Sequence, residues 1–380
     1  MRIVIHATGM TRNNTGVGQY ISHLLPHLLP RLTMAGCEVS VLVSPDADLS
    51  GLNGGAKMVP LPIARTKTIQ RVFWEHVYVP VASWSADVYL SLMSVFPFSP
   101  VWGKRKLVLI QDILHVMHQA NPSLYPWQCS RGRLFYINQT IKRTVNAADG
   151  IITLSQFVAD GLHQYLGVAK DRLTVIPCGV DIRRFGANKD QEQSAQIRKR
   201  YGLPERFYLF VGSPAVHKNL RLVVEAFASN GNKQVFFPVA ITHHKEAGSV
   251  FEQTARLIDE RGLNDSFRFL GYVPQEDLPP LYAAAQALLY PSLHEGFGIP
   301  PLEAMASGTP VVTSNRASLP EVVGDAAIII DPTQPEALVE ALHKVNDALT
   351  RQSLIEKGLV RARAFSWERT AELMAKAIMP

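Results

Sequence analysis

Two glutamates, Glu295 and Glu303, stand eight positions apart in the stretch HEGFGIPPLEAMASGTPVV, residues 294–312. Between them lie Gly296, Phe297, Gly298, Ile299 and a Pro-Pro pair. Pro300 and Pro301 suit the first turn of a helix, where a missing N–H costs nothing. Gly308 is a natural C-cap. The preceding QALLYPS reads as a buried strand ending near Ser292. Residues 295–299 are then a strand-to-helix loop whose glycines let the backbone approach a ligand closely. A helix N-terminus attracts phosphate, yet two carboxylates repel a bare phosphate. The ligand that fits has hydroxyls on both sides of its phosphates. Glu303, one turn into the helix, could accept both hydrogen bonds of a ribose diol. Glu295 could accept from a sugar on the other side of the pyrophosphate. A nucleotide-sugar satisfies the pattern, whereas a plain nucleotide leaves Glu295 idle. Taken singly, each glutamate is equally a helix-start acid or a surface acid; only the whole loop points to a ligand.

A departing diphosphate needs positive charge nearby. VGSPAVHKN, residues 211–219, supplies His217 and Lys218 after a strand, although a solvated helix start carries lysine just as readily. In the first half, KLVLIQDILHVMHQANP, residues 106–122, places Asp112, His115 and His118 after another strand. Asp112 is expected to face a cleft from its strand end. His115 either contacts substrate or is a structural histidine, and the sequence leaves both open. Asp46-Ala-Asp48 has the D-x-D spacing of a metal site but lies in the turn-rich PDADLSG, where acids serve the turn. His243 and His244 are adjacent, and on an extended chain they point in opposite directions. Lys218, loop amides and a helix dipole can neutralise a diphosphate without an ion, so neither a metal nor a cofactor is expected.

These residues need a scaffold. RIVIHA, EVSVLVS, KLVLIQ, GIITLS and LTVIPC read as strands separated by amphipathic segments. The series restarts near residue 207 with FYLFVGS, QVFFPVAIT, SFRFLGYV, QALLYPS, TPVVTS and AAIIID. Apolar strands alternating with helices imply α/β architecture with parallel sheets covered on both faces. Two series imply two doubly wound, Rossmann-like domains, with nucleotides expected at the carboxyl ends of strands. The polar stretch 182–206 reads as a linker with a short helix, and the boundary falls near residue 185. A chain of 380 residues accommodates this division. Residues 1–185 hold 18 Lys+Arg against 10 Asp+Glu and the rest 20 against 22, out of 38 and 32, so the halves carry +8 and −2. A basic first half suggests an anionic partner or merely a soluble surface. No aromatic-basic repeat typical of single-strand binding is present, so no nucleic acid is expected. Three scattered cysteines form neither a disulfide framework nor a metal spacing. With no signal peptide or membrane span in view, the expected location is cytoplasmic.

The 294–312 stretch resembles the E-x7-E signature of retaining glycosyltransferases of family GT4, which have the GT-B fold. The resemblance runs through the chain. TGVGQY (15–20), with Gly16 and Gly18, resembles the glycine loop placed near the donor phosphates. VGSPAVHKNLRLVVEAF (211–227), with Gly212, resembles the start of the donor domain. FRFLGYVPQEDLPPLYAAA (267–285), with Val273, resembles the base-binding loop, and TVIPCGVD (174–181) the strand entering the interdomain linker. FSWERTA (365–371) resembles a C-terminal helix that crosses back. The resemblance implies two Rossmann-like domains facing a cleft: residues 1–185 plus 361–380 binding acceptor, and 186–360 binding a nucleotide-sugar. Lys218 carries over as the clamp on the diphosphate. The family's usual Arg-Lys pair is here His217-Lys218, and its usual His-Asp pair is Gln111-Asp112. The overall pattern is most similar to bacterial mannosyltransferases of polysaccharide and O-antigen assembly. GDP-mannose is the donor expected from that likeness, ahead of a UDP-hexose or a rhamnosyl donor, and the acceptor a lipid-linked glycan or saccharide. IARTKTIQRVFWEHVYVPVASW (63–84) mixes basic and aromatic residues as either a core-packed helix or a surface for an anionic membrane, on the inner face of the inner membrane. A nucleotide-sugar 2-epimerase of the same fold, or a non-catalytic membrane-associated protein, is the competing expectation.

Overall fold

The structure, a computed structural model, describes residues 1–10, 16–52, 54–61, 68–186, 191–213, 215–229, 236–243 and 250–379. The side chains of residues 68–74, 191 and 251 also lie outside the described set. Two compact units result: Met1–Met117 with Cys129–Gly179 and Trp367–Pro380, and His118–Gln128 with Val180–Ser366. Residues 118–128 thus belong with the second unit, although the strands before and after them lie in the first. The Tyr125 ring meets the His294 imidazole edge-on at 5.8 Å, and His118 Nδ1 lies 2.8 Å from the Tyr125 carbonyl.

The first unit contains β1 (Arg2–His6), β2 (Glu38–Val43), β3 (Lys57–Pro60), β4 (Val88–Ser91), β5 (Arg105–Ile110), β6 (Gly150–Thr153) and β7 (Leu173–Val175). They pair in parallel in the order β3-β2-β1-β4-β5-β6-β7. Ile3, Val4, Ile5, Val108, Leu109 and Ile110 are wholly buried, as continuous apolar strands in a covered sheet must be. The helix Gly16–Met34 buries Ile21, Leu24, Leu25, Leu28, Leu29 and Leu32 along one stripe. The C-terminal helix Trp367–Ile378 packs on it. Trp367 is 3% exposed; its ring meets Tyr20 at 5.5 Å and stacks on His23 at 5.4 Å. Thr370 anchors the same helix by donating to the Pro177 carbonyl at 2.8 Å.

The second unit contains β8 (Tyr208–Phe210), β9 (Val239–Ile241), β10 (Phe267–Phe269), β11 (Ala287–Tyr290), β12 (Val311–Ser314) and β13 (Ile328–Ile330). All are parallel, in the order β10-β9-β8-β11-β12-β13. One core joins Tyr208, Phe210, Val223, Phe227, Val239, Leu289, Val312 and Leu342. The described part of the expected linker is docked rather than free. Its helix Gln191–Tyr201 buries Ile197, and Asp277 receives hydrogen bonds from Arg200 at 2.5 Å and Tyr201 at 2.6 Å.

Candidate active site

The strand order of the second unit reverses between β8 and β11, and in open parallel sheets the crevice outside such a reversal is where ligands bind. Lys218 and Glu295 come from the loops after these two strands. Lys218 Nζ donates to Glu295 Oε1 at 2.7 Å and to the Tyr290 hydroxyl at 2.8 Å. Each of the paired side chains keeps 13% of its surface exposed. Three hydrogen bonds lock the loops in place. Leu293 N–H donates to the His217 carbonyl at 2.7 Å. The Asn219 amide donates to the carbonyls of Pro291 at 3.1 Å and Pro332 at 2.8 Å, tying in the end of β13. Asn219 holds φ +59°, a left-handed conformation that asparagine tolerates better than most residues.

The electrostatics follow from burial set against pairing. Burial pulls the Lys218 ammonium down, but the Glu295 charge and the Tyr290 hydroxyl outweigh it and hold its pKa above the ordinary value. Burial likewise pushes the Glu295 carboxyl up, yet the positive field of Lys218, then of His217, leaves it below the carboxylate range. The pair is therefore an ammonium and a carboxylate at neutral pH. Glu303 is governed differently: burial lifts its carboxyl, and the Tyr282 hydrogen bond and the Arg184 charge offset only part of that. Tyr282 donates to Glu303 at 2.9 Å.

Gly296, Phe297 and Gly298 are buried in the loop between the glutamates. Gly298 caps the helix Ile299–Ala306 at φ +114°, with prolines in the first turn and no side chain capping that end. A Cβ there would stand 2.8 Å from Leu319 Cδ2. The Ser318 hydroxyl lies 2.9 and 2.6 Å from the Glu295 and Phe297 carbonyls and holds the loop down. The helix closes at Ala306, with Ser307 as cap and Gly308 next at φ +66°. Gly212 lies against the Lys218 stem, and Val273 is 7% exposed in the loop after β10.

In the first unit, the Asp112 carboxylate accepts the Leu114 N–H at 2.7 Å, at the start of the helix Leu114–Ala120. His115 is half-buried in that helix, and the Gln111 side-chain amide nitrogen is buried without a hydrogen-bond partner among the described residues. Gly16 and Gly18 open the helix Gly16–Met34; Thr15 lies outside the described residues, as do Pro214, His244, Arg65 and Lys67. Asp46 accepts from Ser44, and Asp48 from the Ser50 N–H at 2.9 Å, so both acids serve their turn. Among the described residues no three His, Cys, Asp or Glu side chains gather as a metal-holding group. Tyr290, Tyr282, Arg184, Asn219 and Ser318 complete the site without having been foreseen. The two tyrosines sit in apolar runs that read as core; Arg184 is far from the signature in sequence, and Ser318 lies just past its end.

The description "Glycosyltransferase Family 4" matches residues 15–184, and "Glycosyl transferases group 1" matches 193–360. O-antigen chain mannosyltransferase B of Escherichia coli is 34% identical over 265 residues, 68% of each chain. The chain belongs to this glycosyltransferase family. Serotype-specific mannosyltransferase WbdA of Escherichia coli is 30% identical over 244 residues, 63% of this chain but 30% of that longer protein. Sucrose-phosphate synthase of Thermosynechococcus elongatus superposes with a TM-score of 0.75 at 21% identity, covering 99% of this chain and 98% of the other. The fold of this glycosyltransferase is GT-B.

Proposed function

We propose that this glycosyltransferase moves mannose from GDP-mannose, with retention at the anomeric carbon and without a metal, to a saccharide or lipid-linked acceptor in bacterial polysaccharide assembly. The observation that carries the reading is the Lys218–Glu295–Tyr290 cluster at the β8/β11 reversal, whose Glu295 loop leads directly into the helix that carries Glu303. Lys218 stabilises the departing diphosphate. Once the diphosphate engages the ammonium, the Glu295 carboxylate turns to the sugar hydroxyls. Glu303 holds the ribose diol. The bond from the sugar anomeric carbon to the diphosphate oxygen breaks. The acceptor hydroxyl bonds to that carbon on the same face, and its proton passes to the leaving phosphate oxygen. Asp112, His115 and the first unit serve the acceptor side. The names of the relatives, O-antigen chain mannosyltransferase B and mannosyltransferase WbdA, support the choice of sugar and of pathway class.

No described helix is long and apolar enough to cross a membrane. Val81 and Trp84 are about 70% exposed, and Trp84 lies 4.9 Å from the half-exposed Trp102. Exposed interfacial aromatics on a basic unit suit peripheral contact with an anionic bilayer, where a lipid-linked acceptor resides. Thermal shift against GDP, UDP, dTDP and ADP, with and without magnesium, tests the donor. The expected result is a rise in melting temperature with GDP alone, unaffected by chelator. NMR of the product then reads the anomer: an α-linked product upholds retention and a β-linked one refutes it.

A further inference from the structure

The first unit has its own reversal, between β1 and β4, and a second polar constellation is built there. His6 ends β1, Thr8 follows two residues later, Tyr89 lies on β4, and Glu75 comes from the helix Thr68–Ser83. His6 Nδ1 lies 3.2 Å from the Tyr89 hydroxyl, and its Nε2 2.9 Å from Thr8 Oγ1. Thr8 donates to Glu75 Oε1 at 2.9 Å, and that oxygen is 4.0 Å from His6 Nε2. His6, Thr8 and Tyr89 are 2%, 3% and 0% exposed, while the Glu75 side chain keeps 15%. The row therefore runs from the sheet interior outward and ends in a carboxylate that reaches solvent.

Such a row is an expensive way to fill space. A buried polar network is matched or bettered in stability by apolar packing of the same volume. What it supplies is a carboxylate held in one orientation by the Thr8 hydroxyl, and each carboxylate oxygen can accept more than one hydrogen bond. In parallel α/β sheets ligands sit outside the carboxyl ends of strands at a reversal, which is also where the second unit carries Lys218 and Glu295. A fixed carboxylate there repels phosphate and accepts from hydroxyl donors. We propose that Glu75 binds hydroxyls of the acceptor sugar, with Thr8 and His6 as positioning residues that hold its carboxylate. This rests on the transferase reading given above and adds to it the residue that recognises the acceptor.

The test uses the full chain, GDP-mannose and octyl α-mannosides of one to three sugars, taking the one the unmodified protein extends fastest. Glu75→Gln is expected to raise the acceptor KM about tenfold, the loss of one hydrogen bond to a charged group. Donor hydrolysis without acceptor and the nucleotide-induced rise in melting temperature are expected to stay unchanged. Thr8→Val should raise the acceptor KM less, and Thr8→Ser should restore it; this pair decides the matter if Glu75→Gln does not fold. An unchanged acceptor KM in Glu75→Gln, or in Thr8→Val where that pair decides, with transfer intact, overturns the assignment alone. So does a parallel fall in donor hydrolysis, which marks a merely structural network. Failure of the unmodified protein to extend any mannoside strikes the transferase reading itself, and the assignment falls with it.

Discussion

Lys218 and Glu295 share one salt bridge, so removing either changes the other. Lys218→Ala strands a carboxylate that is 13% exposed, and breaking a pair this buried costs about 3 kcal/mol. Adding Glu295→Gln to Lys218→Ala should recover much of that loss, which a double-mutant cycle from urea denaturation measures. Function should separate what stability couples: Glu303→Ala weakens nucleotide binding, whereas Glu295→Ala mainly lowers turnover. Equal, trivial effects from both would sink that division. The two acids also have opposite pH signatures. Glu295 is held below its ordinary range by Lys218, so its contribution is present above the unfolded pKa of 4.5 and fades as pH falls through the folded value. Glu303 is raised by burial, so its contribution is complete below pH 4.5 and fades as pH rises through the folded value. Melting curves of Glu303→Gln across this range should therefore lose the decline on the alkaline side of 4.5. Glu295 and Glu303 were legible because they share one loop with its glycines and prolines. Tyr282, Tyr290, Thr8 and Glu75 were not: aromatic residues in apolar runs signal only core, and a hydroxyl's partner is decided by strands that meet far apart in sequence.

At the level of elements, the Glu295 loop is held by backbone geometry as much as by side chains. Gly298→Ala forces a Cβ into φ +114° and against Leu319. It should cost about 1–3 kcal/mol, the usual strain of such a conformation, and weaken nucleotide binding in the same titration. Asn219→Ala removes both bonds to Pro291 and Pro332 and should loosen the Lys218 loop, seen as faster amide exchange at Leu293. Among the described residues, eleven strands announced themselves through apolar runs bounded by turn residues. β3 and β4 did not. KMVP is an edge strand with no fully buried residue and a terminal proline, so it lacks the pattern of a covered strand. VYLS is wholly buried but four residues long, too short for periodicity to speak. The acidic and basic helix Gln191–Tyr201 read as linker because its docking rests on Asp277 accepting from Arg200 and Tyr201, a partnership that charge composition conceals.

At the level of the whole molecule, the chain builds most of the first unit, leaves it after Gly179, completes the second, and returns at Trp367. The C-terminal helix buries Trp367, Thr370, Ala371, Met374, Ala375 and Ile378, so it is a structural part of the first unit rather than a tail. A chain truncated after Ser366 should lose amide-exchange protection along Gly16–Met34 and leave the β8–β13 sheet protected. Loss spread equally over both sheets would refute that. The same topology orders events at the ribosome. The helix Gly16–Met34 is made long before Trp367, the residue whose ring covers Tyr20 and His23. Throughout translation of everything between, that patch stands open as a binding site for chaperones, and a nascent chain arrested at residue 366 should be captured by them where the released protein is not.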